Sequence, residues 1–429
     1  MVTIFSDIIS KRLRYVAQLI FEDREIEYEI INDPDVFQAR DGLKLAYSDY
    51  PFEEGVFPTV NPASLLFEED IRTHYLSRSE WEEQQVISFN GTADPLASLF
   101  YIVTCYDEYI SENTDEHDRY PGSSSLVYNY GWVDKLMVER WSEAIIDFIG
   151  RFYSTKIDHG KIPFRVIPTF DIDNAYAYRL KKGVRKVLSV SRDIVRFDKA
   201  RLRERKLVLK TVRKDPYDTY DYIRELVERG FDIKMFWLLG DYGTYDRNIH
   251  HEEEDFRALI KEFSSICSVG LHPSYQSNES RSKLKKEKAR IEEIVEEEVN
   301  LSRQHFLKIK TPHTYEELIA CGFVDDYTMG FADVVGFRAG IARPFQWFNL
   351  KKDQVTELSI HPFAYMDGTL NEYMKLSIDE AKETVKELKQ EVEMYGGNFI
   401  SVWHNETIGD YGKWKGWREV LETSLTSNS

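Results

Sequence analysis

Between residues 164 and 404 one pattern recurs: a short apolar, β-prone run, a polar residue where the run stops, then a stretch with helical periodicity. The runs occupy 164–170, 233–240, 266–272, 303–309, 334–338 and 398–404. Strands that are apolar along their whole length are buried on both faces, as happens when helices cover both sides of a parallel sheet. Two intervening helices are plain: 280–299, and 377–397, which opens on a Ser–Ile–Asp–Glu cap and stops at Gly396 and Gly397. The residues closing the runs include Asp171 and Asp173, Asp241, His272, Arg338 and His404. In α/β barrels the loops at the carboxyl ends of the strands converge on one mouth. The expectation is therefore an α/β fold, a parallel sheet or barrel, in which separated pieces of chain deliver one polar cluster.

The preceding residues have a different texture. Short strand-like runs such as IEYEIIND alternate with aromatic-rich helical stretches such as DPLASLFYIVTCYDEYI, without an internal repeat. The polar joint IDHGKIPF (157–164) then separates a helix from a strongly β-prone run. We place a boundary there, giving a smaller α+β domain at 1–158 and the α/β domain at 159–429; a chain of 429 residues has room for both. Lys and Arg number 56 against 74 Asp and Glu, and the net charge of −18 argues against nucleic acid as a partner. Cys105, Cys267 and Cys321 fit no paired framework, and the N-terminus lacks a continuous apolar leader, so a reducing, cytoplasmic setting is expected. One segment departs from the acidic balance: 179–214 carries fifteen Lys or Arg against three acidic residues. It reads as an amphipathic helical insertion, either a solvated excursion or a peripheral contact with an anionic membrane surface or glycan.

The tightest constellation that carries chemistry is TFDID (169–173). Alternate residues of a strand point the same way, so Asp171 and Asp173 share a face, and adjacent carboxylates repel unless a cation or a proton relieves them. One metal ligand beside one general base meets that condition; capping the following helix is the plainer alternative. His272, in GLHPSY, closes a buried run, where an imidazole can bind a divalent metal through one nitrogen while a neighbour fixes the other. His404, in WHNE, ends the last run, which in a closed barrel neighbours the first. It is a candidate general acid within reach of Asp171, or else a packed ring beside Trp403. The tract NIHHEEEDF (248–256) lacks the spacing that puts two imidazoles on one helical face. No GxGxxG, P-loop or GxSxG motif is present, which argues against nucleotide cofactors and a serine hydrolase.

Taken in order, TFDID, GLHPSY, FRAG (337–340) and VWHN (402–405) resemble the motifs of polysaccharide deacetylases of the NodB-homology type, carbohydrate esterase family 4. YDEYISENTDEHDRYP (106–121) resembles the signature of an uncharacterised domain that precedes such catalytic domains in bacterial proteins. The resemblance implies a distorted (β/α)7-type barrel and one divalent metal, zinc with cobalt or another divalent ion as alternatives. It implies a hydrolase that removes an N-acyl group, acetyl in the first instance, from an amino sugar of a glycan or glycan precursor. It assigns the catalytic base to Asp171, a metal ligand to Asp173, the first metal-binding histidine to His272, the arginine that orients the base to Arg338 and the acid to His404. The family's second histidine would fall at position 276, where this chain has Gln276. His305, in SRQHF on a neighbouring run, is the candidate for the third ligand. Gln276 also motivates a second reading, a catalytically degenerate barrel serving as a glycan-binding or assembly protein. Finally, the loop 115–121 gathers His117, Arg119 and acidic residues before a Pro–Gly turn. That is more polar chemistry than a connection requires, and makes the loop a candidate contributor to the site.

Overall fold

The computed structural model describes residues 1–181 and 199–426. It begins with β1 (Val2–Phe5), buried at all four positions, between β2 (Tyr28–Ile31) and β3 (Leu43–Tyr47), with β4 (Thr59–Val60) beyond β3. All these pairs are parallel, so each needs a crossover. The helices Lys11–Phe21 and Pro34–Ala39 supply the first two, and each starts where a short polar side chain takes up free N–H groups: Ser10 accepts from Leu13, and Asp33 from Asp35 and Val36. An antiparallel ladder of β5 (Leu76–Trp81), β6 (Gln84–Phe89) and β7 (Thr92–Ala93) follows. The stretch expected as one apolar helix is two, Pro95–Val103 and Tyr106–Ile110, broken at Cys105 with φ of 49°. Helix Met137–Phe152 closes the region.

The remaining strands form one sheet: β8 (Phe164–Ile172), β9 (Lys234–Trp237), β10 (Ser268–Leu271), β11 (Leu301–Ser302), β12 (Asp325–Asp326), β13 (Phe345–Asn349), β14 (Gln354–Ile360), β15 (Tyr365–Met366) and β16 (Gly397–His404). The order is β13-β14-β12-β11-β10-β9-β8-β16-β15, and only the β13–β14 pair is antiparallel. The succession of parallel strands and helices, and the pairing of β16 with β8, follow the sequence pattern. Among the described residues the pairing does not run round into a closed barrel: β13 and β15 are the edges. Helices Arg281–Val295 and Ile378–Tyr395 stand where the periodicity puts them, the second with a full capping box between Ser377 and Glu380.

Two expected strands are not strands. The run 303–309 turns at Phe306 and Leu307, whose φ values of 62° and 53° no ladder accommodates. The run 334–338 is drawn to the N-terminal region instead of the sheet. Gly336 has φ of 119°, and a Cβ there would lie 2.1 Å from the Val133 carbonyl oxygen. The next residue, Phe337, donates its N–H to that same carbonyl at 2.6 Å. Of the basic segment 179–214, residues 182–198 lie outside the described residues. Its helix Lys199–Leu209 is docked through Glu204, which accepts from the hydroxyls of Tyr178 and Tyr411. No helix among the described residues is long and apolar enough to cross a membrane, and the three cysteines form no disulfide.

The N-terminal region and the nine-stranded sheet share a core. Tyr15 and Phe100 pack on Phe348 of β13, with ring centroids 5.2 and 5.1 Å apart, covering that edge of the sheet. Arg338 grips Glu108 of the helix Tyr106–Ile110 through Nε and Nη2, both at 2.7 Å, and donates from Nη1 to the Gly330 carbonyl at 2.8 Å. Both side chains of this pair are 4% exposed. Removing one partner of such a pair leaves a buried charge uncompensated, a loss of about 3–5 kcal/mol, whereas replacing both with apolar groups is often close to neutral. Arg338→Met and Glu108→Leu should each lower the urea unfolding free energy by that amount, and the double variant should lose less than either alone. Additive losses would show that the pair is not coupled.

Candidate metal centre

Strand register decides which side chains meet. Ile172, Trp237, Leu271 and Ser302 are successive partners across β8, β9, β10 and β11. The next residues, Asp173, His272 and Arg303, therefore leave the sheet at one level. On the other flank of β8, His404 is paired with Asp171, and the pairing of Met366 with Val402 brings Asp367 beside His404.

Asp171, Asp173, His272, His305 and His404 meet at this mouth, and Arg338 does not. All three guanidinium nitrogens of Arg338 are engaged by Glu108 and Gly330. The guanidinium at Asp171 belongs to Arg303: Nη1 donates to Asp171 Oδ1 at 2.9 Å and to Thr169 Oγ1 at 2.6 Å, and Nε donates to the Tyr327 carbonyl at 2.9 Å. Arg303 is wholly buried, with its guanidinium carbon 4.5 Å from the centre of the Phe236 ring. The position beside Asp171 expected for Arg338 is thus occupied by Arg303, because the FRAG segment is committed to the N-terminal region.

Ligand-type atoms of Asp173, His272 and His305 all lie within 4.8 Å of one another. His272 Nε2 is 3.2 Å from Asp173 Oδ1, and His305 Nε2 is 3.4 Å from Oδ2. The opposite ring nitrogens face acceptors: His272 Nδ1 lies 2.6 Å from the Arg303 carbonyl oxygen, and His305 Nδ1 lies 3.0 Å from Asp246 Oδ1. A neutral ring therefore carries its proton on Nδ1 and turns an Nε2 lone pair toward the Asp173 carboxylate. The 3.2 Å approach is then not a hydrogen bond, and the buried Oδ1 of Asp173 has no donor. Lone pairs converging on a carboxylate need a positive charge among them. Without an ion, protons supply it. Burial disfavours a charged His305, but Asp173 and Asp246 outweigh it and push its pKa up to about 9. Burial likewise opposes ionisation of Asp173, yet the facing His305 and His272 hold its carboxyl well below the usual range. A divalent cation relieves both demands at once. Two imidazoles and a carboxylate, each imidazole oriented through its far nitrogen, form a donor set that fits such an ion.

Gln276, where the motif would place a histidine, is exposed and accepts from Lys283 Nζ at 2.6 Å. His305 stands in its stead from the turn after β11. His404 is held by Asp367, whose two oxygens lie 2.9 and 3.1 Å from Nδ1, while Nε2 lies 4.0 Å from Asp173 Oδ2. Burial disfavours its charged form, but Asp367 outweighs this and raises the pKa well above the ordinary imidazole value. Asp367 is fixed in turn by the His404 N–H at 2.8 Å and by the Thr407 hydroxyl. The loop 115–121 reaches the same mouth, with His117 packed on Phe306 at 4.7 Å between centroids. The sequence reading missed Arg303, Asp246 and Asp367. Asp367 does close a short apolar run, FAYM, and Arg303 follows a strand of two residues, but Asp246 sits in the polar loop GTYDRN with no periodic signal.

Residues 2–154 match the model of a family of unknown function, DUF7033. A search of curated proteins returns no match. Similar solved structures include a Mycobacterium smegmatis protein assigned as a polysaccharide deacetylase, at 12% identity over 62% of this chain and 85% of that one with a TM-score of 0.39. The polysaccharide deacetylase Bc1974 from Bacillus cereus is 11% identical over 61% and 87% of the two chains, with a TM-score of 0.29. Puue allantoinase is 8% identical over 62% and 85%, with a TM-score of 0.37. At these identities the chemistry has to be read from the chain's own site.

A metal-free His305 titrating near pH 9 must shed its proton to bind an ion. Between about pH 7 and pH 8.5, apparent affinity for cobalt or zinc should rise about tenfold per pH unit, with release of about one proton. Calorimetry in two buffers of different ionisation enthalpy measures both. Asp173→Ala should abolish binding, and metal content equal to wild type in that variant would dismantle the site.

Proposed function

We propose that the chain is a metal-dependent hydrolase that removes an N-acyl group, acetyl in the first instance, from an amino sugar of a glycan or glycan precursor. The observation that carries this reading is the arrangement at one mouth: an Asp–His–His set flanked by a carboxylate bonded to a guanidinium, Asp171 to Arg303, and by a proton-bearing imidazole bonded to a carboxylate, His404 to Asp367. Amide hydrolysis needs one group to take a proton from attacking water and another to give one to the departing nitrogen. The motif order TFDID, GLHPSY and VWHN supports a sugar as the substrate. Gln276, which motivated the degenerate-barrel reading, loses its weight once His305 supplies the third position.

Asp173, His272 and His305 would hold the ion, which we assign as zinc with cobalt as a working substitute; when bound, it supplies Lewis acidity to the acyl carbonyl and to water. Asp171 takes the proton of the attacking water, with Arg303 holding its carboxylate in place. His404 retains its proton through Asp367 and gives it from Nε2 to the leaving amine. In a cytoplasmic setting the substrate is a soluble or lipid-linked precursor, and the basic segment 179–214 would hold the mouth toward an anionic membrane surface.

Acetate release from an N-acetylated oligosaccharide tests the reaction. Asp171→Asn should keep its metal and lose about 10²–10⁴-fold in turnover, the usual loss for a positioned acid or base, and Arg303→Lys should cost more turnover than Arg338→Lys. Undiminished turnover in Asp171→Asn would remove the mechanism. Sedimentation with vesicles tests the surface contact: wild type should pellet with anionic but not neutral vesicles, less so at higher salt. A protein that stays in the supernatant with both has no such contact.

A further inference from the structure

We propose that Arg119, from the N-terminal region, is a positioning residue for His305, which makes the region 2–154 a working part of the metal centre; this rests on the metal-binding reading of Asp173, His272 and His305. The two residues after His305, Phe306 and Leu307, both occupy the left-handed backbone region, with φ of 62° and 53°. Bulky L-residues adopt this conformation at a cost in energy, so the turn persists only where its surroundings hold it. Arg119 holds it directly, donating from Nη1 to the Phe306 carbonyl at 2.8 Å.

That guanidinium is itself fixed. Nε donates to Asp115 Oδ2 at 2.7 Å and Nη2 to the Tyr373 hydroxyl at 3.1 Å, while Asp115 Oδ1 accepts from the backbone N–H groups of His117 and Arg119. The Arg119 side chain is 9% exposed, so water does not compete for its donors. A second line of contacts runs parallel. The buried His117 ring meets Phe306 edge-on, and Phe306 meets His305 in the same way, each at 4.7 Å between centroids. Past the turn, Lys308 bridges Asp118 at 3.6 Å and Glu279 at 3.0 Å. The loop thus holds the turn at Phe306 and again at Lys308.

His305 is also restrained by Nδ1 on Asp246, by its backbone N–H on the Pro273 carbonyl at 3.1 Å and by its own carbonyl, which accepts from the Lys308 N–H at 3.4 Å. The last, with the Leu307 N–H on the Gln304 carbonyl at 2.9 Å, closes the turn locally, and Arg119 adds the side-chain contact that fixes the Phe306 carbonyl. Ligands have to be held to within about 0.5 Å and 10–20° of the productive geometry, and a turn that relaxes to ordinary backbone after Phe306 re-aims the imidazole. A mere tie between two regions would change stability; a positioning residue changes the metal site.

The test is Arg119→Met in the full-length chain, loaded with cobalt. Visible absorption reports the ligand field, competition with a chelating dye reports affinity, and thermal melting reports the fold. The expected result is about 10–100-fold weaker cobalt binding, the usual effect of removing a partner that orients a ligand, with an altered visible band. Wild-type affinity and an unchanged band would overturn the proposal. If Arg119→Met does not fold, Arg119→Lys, which keeps the charge beside Asp115 but not the three-way fork, is read by the same two outcomes. A wild type that binds no cobalt sinks the metal reading and this inference together, whereas equal binding by wild type and variant sinks the inference alone.

Discussion

Arginine does not lose its proton in proteins, and Arg303, with no exposed surface, therefore fixes a positive charge beneath the mouth of the nine-stranded sheet. Much of the site follows from that charge. Asp171 is its counter-ion, at 2.9 Å. The Arg303 carbonyl accepts from His272 Nδ1, which sets the tautomer and turns the Nε2 lone pair to the mouth. Asp173, two residues on, has no guanidinium, so its charge has to be met by the imidazoles or by an ion. Two carboxylates that are equivalent in the sequence are thereby given different environments, Asp171 against a guanidinium and Asp173 against two imidazoles.

The same accounting of charges explains the acidic stretch 106–121. Asp107 accepts from the Tyr120 hydroxyl at 3.2 Å and the Leu126 N–H at 2.9 Å, and burial, then Glu108, push its pKa up to about 6. Glu108 neutralises Arg338, and Asp115 neutralises Arg119. One of these arginines comes from the other region of the chain; the other reaches into it. Glu108, Asp115 and Asp118 are thus counter-ions at the seam between the two regions. That is why the FRAG arginine, catalytic by motif, is architectural by contact.

What the sequence disclosed follows the length of its signals. β8 and β16 span nine and eight residues, and their ends gave Asp171, Asp173 and His404; β10 is shorter, but lies in an apolar run that stops at His272. β11 and β15 are two residues each, too short for any periodicity, and the residues that follow them, Arg303 and Asp367, passed unread. His305 was picked out as a ligand from a run taken for a strand; the run is a turn, because an apolar pattern does not reveal a positive φ. Motif order assigned the arginine beside Asp171 to Arg338, whereas the guanidinium bonded there is that of Arg303, since order along a chain says nothing about which carboxylate each guanidinium finds.

A cluster that draws on His272 and His305 has to be built differently from a pair of histidines close in sequence. Two histidines four residues apart share one local turn of backbone, and their relative placement comes largely from local geometry. His272 and His305 belong to different strand ends, separated by the helix Arg281–Val295, and only tertiary register brings them level. Each imidazole consequently needs its own anchor, and each has one: the Arg303 carbonyl for His272, Asp246 for His305. His305, standing in a strained turn and not in a strand, needs more, and the nearest unused wall is the N-terminal region. A histidine of the cluster that stands in such a turn thus gives a physical reason for the loop 115–121 to lie where it does.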